Sequence, residues 1–341
     1  MTTSPPVTVV LPAHNAEATI AQAIASTLQQ SYADFELWVL ENGSNDHTAE
    51  VARSFSDPRV RVFELGPVRV QGALQYAIEN ASSTWLARMD ADDLMFPNRL
   101  AVQLDFIKAD PTVAFVGTAH AILTPFGHIF EPVLPSSSRE VTTELLGCYQ
   151  RFFADGSVVF NRQVALKAGG VDFEFTGGQD GIALFFSLLT KGKGWEIAEH
   201  LYVYRLQPSS LSRAKDHVEE CYRVRAKYAP HILAHIPKPP KEPSSVWHSI
   251  AGFELLAGDG RAVRQAAEFL EGEYPTSARR MRWLSYLGRL GYTCFKWRNP
   301  SQFRYRRRAD WEELFASFLD QGKQSQQGKD LAGFSEQRRK S

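Results

Sequence analysis

The sequence predicts an α/β fold, a mostly parallel sheet with helices on both faces. Three observations carry this. Five short apolar, β-rich runs recur at residues 7–11, 35–40, 60–63, 84–89 and 113–118, with starts 24 to 29 residues apart. Helical patterns fill most of the gaps between them. Runs of this kind, alternating with helices, belong to strands buried on both faces of a parallel sheet.

Each element follows in order. Asn15 is placed to cap a helix that carries Ile20, Ile24 and Leu28 on one stripe. Residues 48–55 and 72–80 form the next two helical patterns, and Pro97 stands in the first turn of a fourth. Beyond Thr118 the pattern loosens into a Pro/Ser-rich loop at 132–138, a helix near 140–148 and a second apolar strand at 157–160. Gly177-Gly178-Gln179-Asp180 then precedes an apolar helix, 182–189. There Asp180 either caps the helix or sits at its mouth, facing the ligand edge of the sheet. A Pro-rich stretch, 230–243, reads as a linker, followed by helical patterns at 246–257, 261–273 and 277–297. Residues 321–341 are polar and poor in aromatics, the composition of a disordered tail. The expected organisation is an α/β domain over 1–215, a helical region over 216–320, and the tail.

Composition narrows the function classes. The apolar fraction, 44%, is ordinary for a globular protein, and no run of 18 apolar residues is present. Residues 1–6 lack a basic stretch followed by an apolar one, so no standard secretion signal is expected. Cys148, Cys221 and Cys294 lie far apart without metal-ligand spacing, which fits reduced thiols in a cytoplasmic protein. The zero net charge hides an asymmetry: residues 279–308 hold ten basic side chains and no acidic one, while residues 1–278 carry a net charge of −9. A helix here, with Arg282, Ser285, Arg289, Thr293 and Lys296 on one face and Trp283 and Trp297 elsewhere, reads either as a membrane-surface element extended by residues 304–308 or as a packed helix with solvated arginines. Nothing in the chain reads nucleic-acid bases, and no Gly-x-Gly-x-x-Gly fingerprint of a dinucleotide cofactor is present.

The chemistry gathers after the strands. At the exit of the fourth run, Asp90-Ala91-Asp92-Asp93 places three carboxylates before a new helix. In extended chain, residues two apart share a side, so Asp90 and Asp92 face one ligand while Asp93 turns back into the fold. Hard divalent ions such as Mn²⁺ or Mg²⁺ bind through one or two carboxylates plus substrate phosphates. The plainer reading is an acidic turn capping the next helix. Position favours the first, because open α/β sheets bind ligands at the carboxyl ends of their strands.

With those strand ends identified, the chain resembles glycosyltransferase family 2, inverting enzymes of GT-A fold. The likeness runs through Val7-Thr8-Val9-Val10-Leu11-Pro12-Ala13-His14-Asn15-Ala16-Glu17 and Val39-Leu40-Glu41-Asn42-Gly43-Ser44-Asn45-Asp46. It continues in Ala87-Arg88-Met89-Asp90-Ala91-Asp92-Asp93 with Pro97, Arg99, Leu100 and Gln103, and ends near Tyr204-Arg205 and Ser212-Arg213. The resemblance implies a nucleotide-sugar donor, a UDP-sugar foremost, bound by Pro12, Ala13, Asn15, Glu41, Asn42, Gly72, Arg88, Asp90 and Ala91. It implies Mn²⁺ or Mg²⁺ on Asp92, Asp180 as catalytic base, and a glycan or lipid-linked acceptor in cell-surface polysaccharide synthesis, at the inner membrane face. Three positions depart from the family pattern: Glu41-Asn42 stands for two Asp, Gln179 for an acid, and Gln207 for a His. They leave two alternatives, an altered donor preference or a non-catalytic nucleotide-sugar-binding scaffold.

Overall fold

Strand β1 (Val7–Ala13) is buried along its whole length, and its alternate side chains serve two different cores. Val7, Val9 and Leu11 enter one cluster with Ile20, Ile24, Leu100 and Leu104, whereas Val10 enters another with Leu74, Ile78 and Leu86. Strand β2 (Phe35–Glu41) repeats the division: Phe35, Leu37 and Val39 join the first cluster, Trp38 and Leu40 the second. A sheet with apolar side chains on both faces needs helices on both. Helices α1 (Ile20–Leu28), α2 (Thr48–Arg53) and, further along, Arg99–Ala109 contribute to the first core; α3 (Arg69–Asn80) contributes to the second.

This computed structural model describes residues 6–148, 151, 153–175, 179–207, 217–231, 251, 253–254, 257, 259–271, 275–286 and 305–316. Strands β1, β2, β3 (Val60–Glu64) and β4 (Trp85–Arg88) form a parallel block in the order β3-β2-β1-β4. The continuation is mixed. The short β9 (Val159–Asn161) inserts antiparallel between β4 and β6 (Val113–Leu123), and β6 pairs in parallel with the long β10 (Lys193–Arg205). The two-residue β5 (Leu94–Met95) pairs antiparallel with β10 directly after the acidic loop. Helix α7 (Asp180–Leu189) is buried almost throughout beneath the second core.

The carboxy-terminal region closes on the same sheet. Helices Gly260–Glu271 and Pro275–Tyr286 pack Val263, Ala266, Met281 and Leu284 against Ile122, Phe130 and Leu206. Residues 305–307 add a strand antiparallel to β7 (Ile129–Pro132), and Trp311 and Phe315 meet the ring of Phe96 edge-on at 4.9 and 5.1 Å.

Several expectations shift. Asn15 caps no helix: it adopts φ 49°, α1 begins at Ile20, and the Asn15 side chain instead accepts a hydrogen bond from Asn45 N at 2.8 Å. Helix α3 starts at Arg69 rather than 72, and the strand expected at 157–160 is preceded by a 3₁₀ turn, Asp155–Ser157. On Pro275–Tyr286, Ser285 is buried, so it does not share a solvated face with Arg282; the exposed residues include Arg279, Trp283 and Tyr286. Arg307 and Arg308 are held in ion pairs, with Glu312 and with Glu131 and Asp310. Among the described residues no helix is long and apolar enough to cross a membrane. Most of the 230–243 segment, residues 287–304 and the 321–341 tail lie outside the described residues.

Candidate active site

The acidic loop follows β4 without a break in hydrogen bonding. Met89 N donates to Val10 O at 2.9 Å, Asp90 N to the Tyr202 hydroxyl at 3.2 Å, and Asp93 N to Asp90 O at 3.2 Å. This turn sends Asp90 and Asp92 into the cleft and Asp93 inward, where it accepts Arg205 N at 2.8 Å. Arg205 Nε reaches Asp92 O at 2.7 Å and so fastens the loop to the end of β10. Behind the loop lies a buried polar brace. Arg99 donates to Arg88 O at 2.8 Å and to Gln103 Oε1 at 3.0 Å, while Gln103 Nε2 donates to Val116 O and Ser157 O at 2.8 and 2.9 Å. Arg99 and Gln103 thus position the loop without touching the cleft.

The cleft has a volume of about 620 Å³ and opens at the carboxyl ends of β1, β2 and β4. Pro12, Asn15, Asn42, Arg88, Asp90, Ala91, Asp92 and Asp180 all line it. The Arg88 guanidinium is the hub, donating from Nε to Asp90 Oδ1 and from Nη1 to Asp180 Oδ2, each at 3.1 Å. Asp155 stands on the same cation and is itself paired with Arg151. Two glycines allow this crowding. A Cβ on Gly181 would lie 2.3 Å from Asp155 Oδ2, and one on Gly156 would lie 2.1 Å from the Tyr202 hydroxyl and 2.8 Å from Asp90 Oδ2.

Burial sets the proton affinities. Desolvation, and then the neighbouring Asp90, push Asp92 up to about 6. Desolvation also raises Asp180 against the pull of Arg88, with Asp155 and Asp90 adding to the rise. Arg88 loses some basicity to burial, but Asp90, Asp180 and Asp155 more than restore it and hold it charged. Asp93, desolvated beside Asp92 and Asp90, is raised well above the ordinary carboxylate value.

Three expected residues stand behind the wall. Ala13 is buried in the β1–β2 ladder opposite Glu41. Glu41 turns its carboxylate back to accept Ser44 N, bracing the loop after β2. Gly72 lies inside α3 with Val68 packed where a side chain would go, and Val70 lines the cleft instead. Asp180 is not a cap; it opens α7 with its side chain on Arg88. The cleft also includes His120, Arg151, Asp155 and Arg225, none foreseen. The first three come from a stretch without clear periodicity. Arg225 comes from helix α8 (His217–Tyr228), beyond residue 215, where its hydrogen bonds to Gly147 O and Cys221 O hold it at 2.7 Å.

The donor set fits a hard divalent cation. Asp90 and Asp92 both line the cleft, and a cation there would relieve the burial and the neighbouring Asp90 charge that raise Asp92.

Comparison with known proteins agrees with this geometry. The family model for glycosyl transferase family 2 matches residues 8–169. Among curated relatives, the UDP-Glc:alpha-D-GlcNAc-diphosphoundecaprenol beta-1,3-glucosyltransferase WfgD of Escherichia coli is 34% identical over 102 residues, covering 30% of this chain and 40% of that protein. The O-antigen biosynthesis glycosyltransferase WbnJ of Escherichia coli is 25% identical over 223 residues, covering 63% of this chain and 85% of that protein. The chain spans about half the length, or less, of the curated relatives it matches at 31% and 34% identity. In fold it is similar to S. aureus TarS 1–349, solved in complex with UDP-GlcNAc, with a TM-score of 0.55 at 14% identity over 84% of this chain and 88% of that one.

Proposed function

We propose, from the match of residues 8–169 to the glycosyl transferase family 2 model, that the protein is a metal-dependent inverting glycosyltransferase acting on a nucleotide sugar, with a UDP-sugar as donor. The observation that carries the reading is the convergence of Asp90, Asp92 and Asp180 in one cleft with Pro12, Asn15 and Asn42, at the carboxyl ends of parallel strands. Asn42 adds a second support. It is 4% exposed, lines the cleft, and its Nδ2 meets no acceptor among the described residues, so a ligand carbonyl such as that of a uracil ring would satisfy it.

Each role follows from the chemistry of its group. Pro12, Asn15 and Asn42 bind the nucleoside, and Asp90, held by Arg88, faces the ribose. Asp92 would hold Mn²⁺ or Mg²⁺, which when bound would supply Lewis-acid neutralisation of a departing diphosphate. Asp180 takes the proton of the acceptor hydroxyl while that oxygen bonds to the anomeric carbon and the bond to the diphosphate breaks on the opposite face, which inverts the configuration. Arg88 orients Asp180 through one oxygen, and burial raises the proton affinity that a base needs. Gln207 and Tyr204 also line the cleft.

The acceptor class is read as a glycan or lipid-linked sugar of a cell-surface polysaccharide, a reading supported by the names of the WfgD and WbnJ relatives. Outward Arg279, Trp283 and Tyr286 support contact with the inner membrane face through residues 279–308. Transfer assays with a panel of UDP-sugars and Mn²⁺ test the activity. Metal-dependent release of UDP that collapses in Asp180→Asn is the expected result; no release from any donor would favour a non-catalytic scaffold.

A further inference from the structure

Away from the cleft, His128, Glu254 and Asp259 each bring a ligand atom to within 4.8 Å of the other two. They come from three separate pieces of chain. His128 ends the turn between β6 and β7, Glu254 lies in the segment ahead of the helix Gly260–Glu271, and Asp259 precedes the first turn of that helix. Glu254 is fully buried at 0% exposure, an environment that a carboxylate enters only with a counter-charge or a full set of hydrogen bonds. Among the described residues it has neither in full. Its Oε2 lies 2.6 Å from His128 Nδ1, but its Oε1 is buried and meets no hydrogen-bond partner among the described residues.

Among the described residues the neighbouring groups do not fill the need. Arg307 acts on Glu254 and Asp259, yet its Nε and Nη2 are spent on the two oxygens of Glu312, at 3.0 and 2.9 Å, and its Nη1 points to Ala257 O at 3.3 Å; Arg261 acts on Asp259 through space. Asp259 uses Oδ1 to accept Arg261 N and Ala262 N at 2.9 and 3.0 Å, so one oxygen caps the helix and the second remains.

We propose that His128, Glu254 and Asp259 form a second metal site, structural rather than catalytic, for a divalent ion of the zinc class. One imidazole nitrogen with two carboxylate oxygens selects a borderline ion over Mg²⁺ or Ca²⁺, which take oxygen alone. The ion takes the place of the proton that His128 and Glu254 share, and a water completes a four-coordinate shell. Because the ligands join the β6–β7 turn to the carboxy-terminal helices, the ion staples those helices to the sheet.

Equilibrium dialysis of the full chain against Zn²⁺, followed by metal counting, tests the site, with the thermal melt recorded in parallel. The expected result is about one tightly held zinc per chain and a raised melting temperature, both kept in Asp92→Ala, which disables the cleft. Affinity falls by at least about tenfold in Glu254→Gln, since losing even an outer partner of a ligand costs that much. Should Glu254→Gln fail to fold, Asp259→Asn decides, because Asn keeps the cap and removes the charge. Wild-type protein without stoichiometric zinc, or zinc binding unchanged in the folded variants, overturns the proposal.

Discussion

Arg88 Nη1 lies 3.1 Å from Asp180 Oδ2, and this pair links the acidic loop after β4 to the start of α7, 92 residues later in the chain. Only 10% and 2% of the two side chains are exposed, so the pair is largely withdrawn from water. Its consequence is that the acid expected to act as base and the acid expected at the ribose share one cation.

Removing that cation is costly. Arg88→Met strips Asp90 and Asp180 of their shared cation and leaves Asp155 with Arg151 alone, and breaking a buried pair from one side costs on the order of 3–5 kcal/mol. Urea denaturation checks this. The double variant Arg88→Met/Asp180→Leu should recover part of the loss, because the more deeply buried of the two stranded carboxylates is then replaced by an apolar side chain.

Removing the base separates chemistry from binding. Asp180→Asn keeps the shape and a hydrogen-bonding oxygen toward Arg88 but cannot take a proton. The rate of transfer should fall by about 10²- to 10⁴-fold, with the donor KM changed far less. Steady-state kinetics with saturating acceptor reads both quantities.

The raised proton affinity of Asp92 makes stability fall with pH in the absence of metal. An acid whose folded value is about 6, against about 4 when unfolded, binds more protons in the folded state between those limits. The folded state therefore loses stability as pH rises from about 4 through 6. Measured without metal, wild type should lose stability relative to Asp92→Asn across this window. Mn²⁺ should restore it more at pH 7 than at pH 5.

The polar brace behind the loop gives a fourth expectation. Gln103→Leu removes the acceptor of Arg99 Nε and the donor to Val116 O and Ser157 O, stranding buried groups that cost about 1–3 kcal/mol each. Thermal unfolding should show a large loss, although Gln103 never meets substrate.

The glycine beside the loop gives a fifth. Gly156→Ala pushes a methyl group into Tyr202 and Asp90, and overpacking of this kind costs about 1–3 kcal/mol. Donor affinity should fall with stability, since Asp90 is displaced; titration calorimetry with UDP reads the first and denaturation the second.

Much of the parallel block was legible in the sequence because its strands are continuously apolar and regularly spaced. The apolar runs at 7–11, 35–40 and 60–63 fall inside β1, β2 and β3. The alternation within the acidic loop also held, with Asp90 and Asp92 in the cleft and Asp93 behind it. What escaped depends on tertiary packing. The strand read at 157–160 forms as β9, Val159–Asn161, but its antiparallel insertion between β4 and β6 has no local signal. Asn15 looked like a cap because asparagine caps helices, but asparagine also tolerates positive φ, and the loop after β2 claimed its side chain. Asp155 and Arg225 reach the cleft by folding from distant segments, which no local pattern announces.

The most direct test of the acidic rim is titration calorimetry of UDP into the wild-type chain and Asp92→Ala, each with and without Mn²⁺. The account predicts binding by the wild type that tightens strongly with Mn²⁺, and a variant indifferent to the ion. Equal affinity with and without Mn²⁺ in the wild type, or the same metal dependence in Asp92→Ala, would contradict it.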